Sequence, residues 1–178
     1  VLSASGFIAL PSDYDAATAI PQISTIVNAA DMGSNVAAGG LISVFGRNLS
    51  TATEIANASP IPSVLAGSCI TVNDQPVPLL YVSPTQINAQ LPYALQGSAN
   101  MILRTSGGVS PTTPLKVLAA APSVFQANLG LAGTTPAIIR ATNNQLVTLS
   151  NPIHRGDSIS IYLTGMGGTQ PAVVAGQP

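Results

Sequence analysis

A histidine and an acid three residues apart, His154 and Asp157, sit in "NPIHRGDSISIYL". An imidazole beside a carboxylate is half of a general-base device, and the other half is a nucleophile it can serve. The chain has no Gly-x-Ser-x-Gly elbow to supply one. His154 is the only histidine and Cys69 the only cysteine, so a zinc site of the His/Cys type cannot be assembled. His154 is therefore read as a loop residue without catalytic or metal role. The overlapping Arg155-Gly156-Asp157 spells RGD. Adhesion through that tripeptide needs an exposed loop tip, whereas Gly156-Asp157 reads as the turn that leads into a strand from Ser158.

The remaining polar residues give no stronger constellation. Asp13-Tyr14-Asp15 places two carboxylates two residues apart, but a calcium loop needs more oxygen ligands at fixed spacing, and Asp31 and Glu54 do not complete one. Six carboxylates in the whole chain nominate no glycosidase pair. Cys69, in "SCITV", reads as a small residue within a strand. Gly107-Gly108 and Gly165-x-Gly167-Gly168 lack the following helix whose N-terminus would hold a phosphate, and read as turns. Asn48-Leu49-Ser50 and Asn57-Ala58-Ser59 match the N-glycosylation pattern, which makes Asn48 and Asn57 candidate glycan sites. No catalytic residue, cofactor or metal is nominated, and the chain is read as a non-enzyme.

What positions these residues follows from composition. Of 178 residues, 46% are apolar, yet there is no Trp and only 4% are aromatic, so the core must be built from Val, Ile, Leu and Ala. Charged residues make up 6%, against about 25% in an ordinary soluble domain. Sixteen glycines and fifteen prolines demand frequent turns, which suits short strands. The net charge is −1 and the five basic residues are scattered, so nucleic acid is not an expected partner. No apolar run approaches the ~20 residues of a membrane span. The low charge fits a secreted or assembled protein, and with no basic leader at the start, any export signal is expected to have been removed.

Strand-sized runs recur from Gln22 onward: "ISTIVNAA", "GGLISVFGRNL", "SCITVNDQPVPLLYV" with a turn over Asn73-Asp74-Gln75-Pro76, "TQINAQLP", and "ANMILRTSGGVSPTTPLKVLAA" turning at Gly107-Gly108. No 3.6-residue periodicity competes with them, so the expected fold is all-β, with immunoglobulin-like sandwich units. "AAAPSVF" reads as a junction. Beyond it lie "TPAIIRATNNQLVTL", a hairpin over Asn143-Asn144, and "GDSISIYLTGMGG". That is three or four strands, where an immunoglobulin-like sandwich needs about seven.

The series "STIVNAADMGSNVAAGGLISVFGRNLS", "PLLYVSPTQINAQLPY", "APSVF" and "GDSISIYLTGMGGTQPAV" resembles the Solibacter-type C-terminal domain of uncharacterised secreted proteins from Acidobacteria, over roughly residues 22 to 175. The first unit also resembles the immunoglobulin-like IPT/TIG modules, through a glycine turn, a strand and Gly46-Arg47-Asn48-Leu49. These resemblances imply an exported bacterial β-sandwich protein and bring no catalytic residues. Such proteins continue past the "TGMGG" region with more strands, which agrees with the short strand count.

Three parts are thus expected: an N-terminal strand and linker over 1–21, an IPT/TIG-like sandwich over 22–120, and an incomplete second sandwich over 121–178. A sandwich short of strands leaves an apolar groove and unpaired backbone groups. The opening "VLSASGFIAL" alternates, with Leu2, Ala4, Gly6, Ile8 and Leu10 on one apolar face, and is tethered by a segment bracketed by Pro11 and Pro21. It is a candidate donor strand for the groove of a neighbouring copy. Head-to-tail insertion gives an open polymer, so the expected role is an extracellular or cell-surface structural subunit whose partners are other copies of itself. The alternative is an adhesion or ligand-binding module, a fragment of a larger secreted protein, whose glycan or surface ligand the sequence does not name.

Overall fold

In the computed structural model, the described residues are Leu2–Ser3, Gly6–Phe7 and 19–177. The described residues are all-β apart from one short 3-10 turn. In order, the strands are β1 (Leu2–Ser3), β2 (Gly6–Phe7), β3 (Gln22–Asn28), β4 (Val36–Ala37), β5 (Leu41–Arg47), β6 (Glu54–Ile55) and β7 (Cys69–Val72). Next come β8 (Gln75–Pro76), β9 (Leu79–Val82), β10 (Gln86–Gln90), β11 (Gly97–Thr105), β12 (Gly108–Val109) and β13 (Thr113–Leu118). The last seven are β14 (Ser123–Val124), β15 (Gln126–Asn128), β16 (Thr134–Pro136), β17 (Ile138–Arg140), β18 (Gln145–Leu146), β19 (Ile159–Ile161) and β20 (Leu163–Thr164).

Residues 22–118 form a two-sheet sandwich. One sheet has the order β3-β5-β10-β9-β6, and the other β4-β13-β11-β7-β8, with β12 pairing back on β11. Period-two alternation sets which side chains enter the space between them. In β10, Ile87 and Ala89 are fully buried while their neighbours face outward; in β7, Ile70 and Val72 do the same. Ile42 and Val44 of β5 and Met101 and Leu103 of β11 complete the centre of the core. Each fully buried aliphatic side chain contributes ~1.5–3 kcal/mol, which is how a unit without tryptophan holds together.

Turn chemistry closes the hairpins. Asn73 and Asp74 both adopt positive φ, at 47° and 63°, as a two-residue primed turn requires. Thr71 pairs with Pro76 and Val72 with Gln75, so the turn is two residues rather than the four expected over 73–76. Gly108 pairs with Thr105, which places the next turn one residue earlier than expected, at Ser106-Gly107.

After Val117 the character of the chain changes. The sequence leads one to expect three or four strands here, but the chain forms seven, each of two or three residues. They make three small sheets, β14-β20, β15-β16 and β18-β17-β19. The expected strand from Ser158 is broken at Tyr162, where it changes partner: β19 pairs with β17 and β20 with β14. The Tyr162 backbone bridges the two, its N–H donating to Ala137 O at 3.0 Å and its carbonyl accepting from Phe125 N–H at 3.0 Å. Among the described residues, no apolar side chain beyond Val117 is buried. At the other end, Leu2 pairs with Phe7 and Ser3 with Gly6 in an antiparallel ladder of two pairs.

Candidate functional site

The chemistry-bearing residues of the second unit cluster at one end of the β18-β17-β19 sheet. The Asp157 carboxylate lies 2.9 Å from the Arg140 guanidinium, and its side chain is only 12% exposed. It also accepts the His154 backbone N–H at 2.7 Å, while the imidazole Nδ1 stands 3.5 Å away on a ring that is largely exposed. Arg140 donates in addition to Asn151 Oδ1 at 3.0 Å. The His154 N–H first, and then the hydrogen bond and charge of Arg140, hold the Asp157 carboxyl below the usual carboxylate range, against partial desolvation. Asp157 thus closes a turn, its own N–H returning to His154 O at 3.0 Å. In the RGD tripeptide the carboxylate is committed to Arg140 and is not displayed.

Other sequence candidates are dispersed. Cys69 stands opposite Arg104 across β7 and β11; burial pushes its thiol up, with the Arg104 charge pulling the other way, so the thiolate needed for reactivity is disfavoured. Asn48 sits at positive φ, 56°, with its amide donating to Ile20 O at 3.4 Å; the Ser50 of its sequon is buried. Asn57 lies exposed in the loop after β6. Among the described residues, no group of three or more His, Cys, Asp or Glu side chains is gathered to hold a metal. Of the candidate donor-strand residues, Leu2 and Gly6 belong to the β1–β2 ladder. Ala4, Ile8 and Leu10 lie outside the described residues, as do Asp13 and Asp15.

Two features emerge that sequence reading did not isolate. The first is a joint. The segment from Thr164 to Gly167 does not simply turn. It lies across the 119–121 connection and against the first unit. Leu41 N–H donates to Thr164 Oγ1 at 2.7 Å, Ala121 N–H to Gly165 O at 2.8 Å, and Asn28 Nδ2 to Ala121 O at 3.2 Å. Gly165 and Gly167 have φ of +80° and +90°, and a Cβ on them would collide with the carbonyls of Ala121 and Ala119 respectively. Further on, Gly176 is held at both ends, donating to Gln90 Oε1 at 2.7 Å and accepting from Ile61 N–H at 2.8 Å. The spacing of the glycines was visible in the sequence; the carbonyls they must clear were not.

The second feature is a partly covered apolar face. Register places Ile138 opposite Ile161 and Arg140 opposite Ile159, so the three isoleucines share one face of β17 and β19, with the Arg140–Asp157 pair at its end. Ile159 and Ile161 are 40% and 45% exposed. Tyr162, Leu149 and Ile153 are exposed as well. Nothing in this arrangement combines a nucleophile, a base and a pocket. What it offers is surface for association.

Comparison with known proteins bears on the sandwich. A search of curated proteins finds no match. A solved structure described as a crystal structure with xylogluco-oligosaccharide aligns at 18% identity with a TM-score of 0.39. The alignment covers 84% of this chain and 35% of the other, so the chain spans about a third of that protein. The IPT/TIG domain model matches residues 21–117, which are the strands of the two-sheet sandwich and more than half of the chain. On the strength of that match and of the two facing sheets, the chain belongs to the IPT/TIG domain family.

Proposed function

We propose that the chain is a non-enzymatic extracellular structural subunit of bacterial origin, of the Solibacter-type C-terminal class, that assembles with other copies of itself by strand complementation. One observation carries the reading: beyond Val117 no described apolar side chain is buried, and Ile138, Ile159 and Ile161 line a sheet face that is only partly covered. Contiguous exposed apolar surface marks an association site. The donor is the alternating segment "VLSASGFIAL", whose Leu2, Ala4, Gly6, Ile8 and Leu10 would enter the groove while its backbone adds ladder hydrogen bonds. Insertion as one strand requires the β1–β2 ladder to open, and two pairs of residues present a small barrier to that. A charge of −1 on 178 residues leaves little repulsion between copies.

Electron microscopy and sedimentation velocity on the wild-type chain and on Ile8→Asp test the reading. Fibres or concentration-dependent oligomers from wild type, lost in Ile8→Asp with the 22–118 sandwich still folded, are the expected result. Monodisperse monomer from wild type at every concentration would overturn self-assembly and leave the adhesion or ligand-binding module as the better account.

A further inference from the structure

Two clefts flank Tyr93, in the loop after β10. One, of about 240 Å³, is bordered by Gln90, Met166 and Thr169; the other, of about 420 Å³, by Gln75, three prolines (Pro76, Pro78 and Pro92) and Val174. Both have the 163–175 segment as a wall and share Tyr93. That ring is fixed from two directions. Gln90 Nε2 donates to Tyr93 Oη at 3.3 Å and to Gly39 O at 3.2 Å, while Gln90 Oε1 is tied to the Gly176 N–H. Gly39, at φ +67°, brings its backbone so close beneath the ring that a Cβ there would collide with it. A half-buried aromatic with its hydroxyl bonded and its ring packed against Gly39 is a preorganised platform.

The chemistry of the walls narrows the ligand. Among the described residues, no Asp, Glu, Lys, Arg or His lines either cleft, so an anionic or cationic ligand would shed hydration without gaining a counter-charge. A peptide strand that pairs through its backbone finds few donors along the proline wall. The three prolines have no N–H, the Gly39 N–H is spent on Pro92 O at 3.3 Å, and both polar groups of Gly176 are taken. The side chains offer an aromatic ring, apolar proline and methionine surface, and the neutral amide and hydroxyl groups of Gln75, Ser63 and Thr169. A sugar ring presents complementary features: C–H faces that pack on the negative face of an aromatic ring, and hydroxyls that bond to amides and hydroxyls. We infer that the paired clefts about Tyr93 bind a neutral oligosaccharide, with Tyr93 as the stacking platform between them.

The test is a titration of isotope-labelled wild-type chain, followed by NMR, with cellohexaose, xylohexaose and mannohexaose. Trigalacturonate serves as the charged control and a proline-rich decapeptide as the competing class. At least one neutral hexasaccharide should shift resonances of the cleft residues, with Tyr93→Ala lowering its affinity about tenfold and Tyr93→Phe retaining binding. Thr169→Glu, at an exposed position, places a carboxylate in the smaller cleft and should weaken binding without disturbing the Tyr93–Gly39 packing. Thermal melting of each variant separates loss of binding from loss of fold. No shift from any neutral hexasaccharide at ~10 mM, shifts away from the clefts, or tighter binding of trigalacturonate or the peptide would overturn the inference. These variants leave the Ile138–Ile159–Ile161 face intact, so sugar binding and assembly can fail independently.

Discussion

Replacing both Ile159 and Ile161 by Ser tests the association surface directly. Full burial of an isoleucine side chain is worth ~1.5–3 kcal/mol. Ile161 is 45% exposed and Ile159 40% exposed, so a partner covering them adds roughly 0.7–1.4 and 0.6–1.2 kcal/mol. The pair therefore contributes roughly 1.3–2.6 kcal/mol to association, and its loss should weaken self-association about 10- to 80-fold. By the same proportion the parts already covered, 60% of Ile159 and 55% of Ile161, contribute roughly 1.7–3.5 kcal/mol to the fold of the free chain, so association is compared only where both chains are folded. Sedimentation velocity across a concentration series reads the association, and a urea titration of the dilute chain reads the stability. Equal association in wild type and the double variant would refute the argument, since no covering of this face could then be occurring. A loss of stability with unchanged association would show that the isoleucines serve the chain's own fold alone.

Other consequences are open to measurement. Gly165→Ala forces a Cβ into positive φ and against the Ala121 carbonyl, so it should cost at least ~1–2 kcal/mol in urea titration; an unchanged midpoint would contradict the joint described above. Asp157 has a folded pKa below its ordinary value, so its stabilisation is complete above the unfolded value of about 3.9 and is lost as pH falls through the lower folded value. Melting temperature should accordingly hold from neutral pH to about pH 4 and drop below it, and Asp157→Asn should remove part of that acid-side drop. His154→Ala should leave assembly and any measured binding unchanged, because the turn uses the His154 backbone N–H rather than its ring; loss of a defined hydrolytic activity would contradict the non-enzymatic reading.

The sandwich was legible because its strands are long enough to show alternation. Ile87 and Ala89 within "QINAQ", and Ile70 and Val72 within "CITV", declare an inward face in four or five residues. The second unit was not legible in the same way. Strands of two or three residues have no measurable period, and a segment such as 158–164 that changes partner at Tyr162 still reads as a single strand. The turns were legible to within a residue or two. Asn73-Asp74 is favoured for positive φ wherever it occurs, but the sequence does not say where the ladder on either side closes.

Long-range neighbours were the least visible part. Asp157 could be read as a turn acid, but its pairing with Arg140 depends on β17 and the loop before β19 lying side by side, which only the tertiary arrangement supplies. Gly165 and Gly167 likewise read as turn formers, and their positive φ agrees. Their further requirement for bare backbone comes from the carbonyls of Ala119 and Ala121, and no local pattern encodes that approach. The same holds for Tyr93, which looks like one aromatic among few until Gly39 appears beneath it and the 163–175 segment beside it. One segment therefore carries three roles: as β20 it pairs with β14, as a glycine run it joins the units, and as a wall it shapes the clefts. A change at Gly165 or Gly167 should disturb assembly and ligand binding together, whereas changes at Ile161 or Thr169 should separate them.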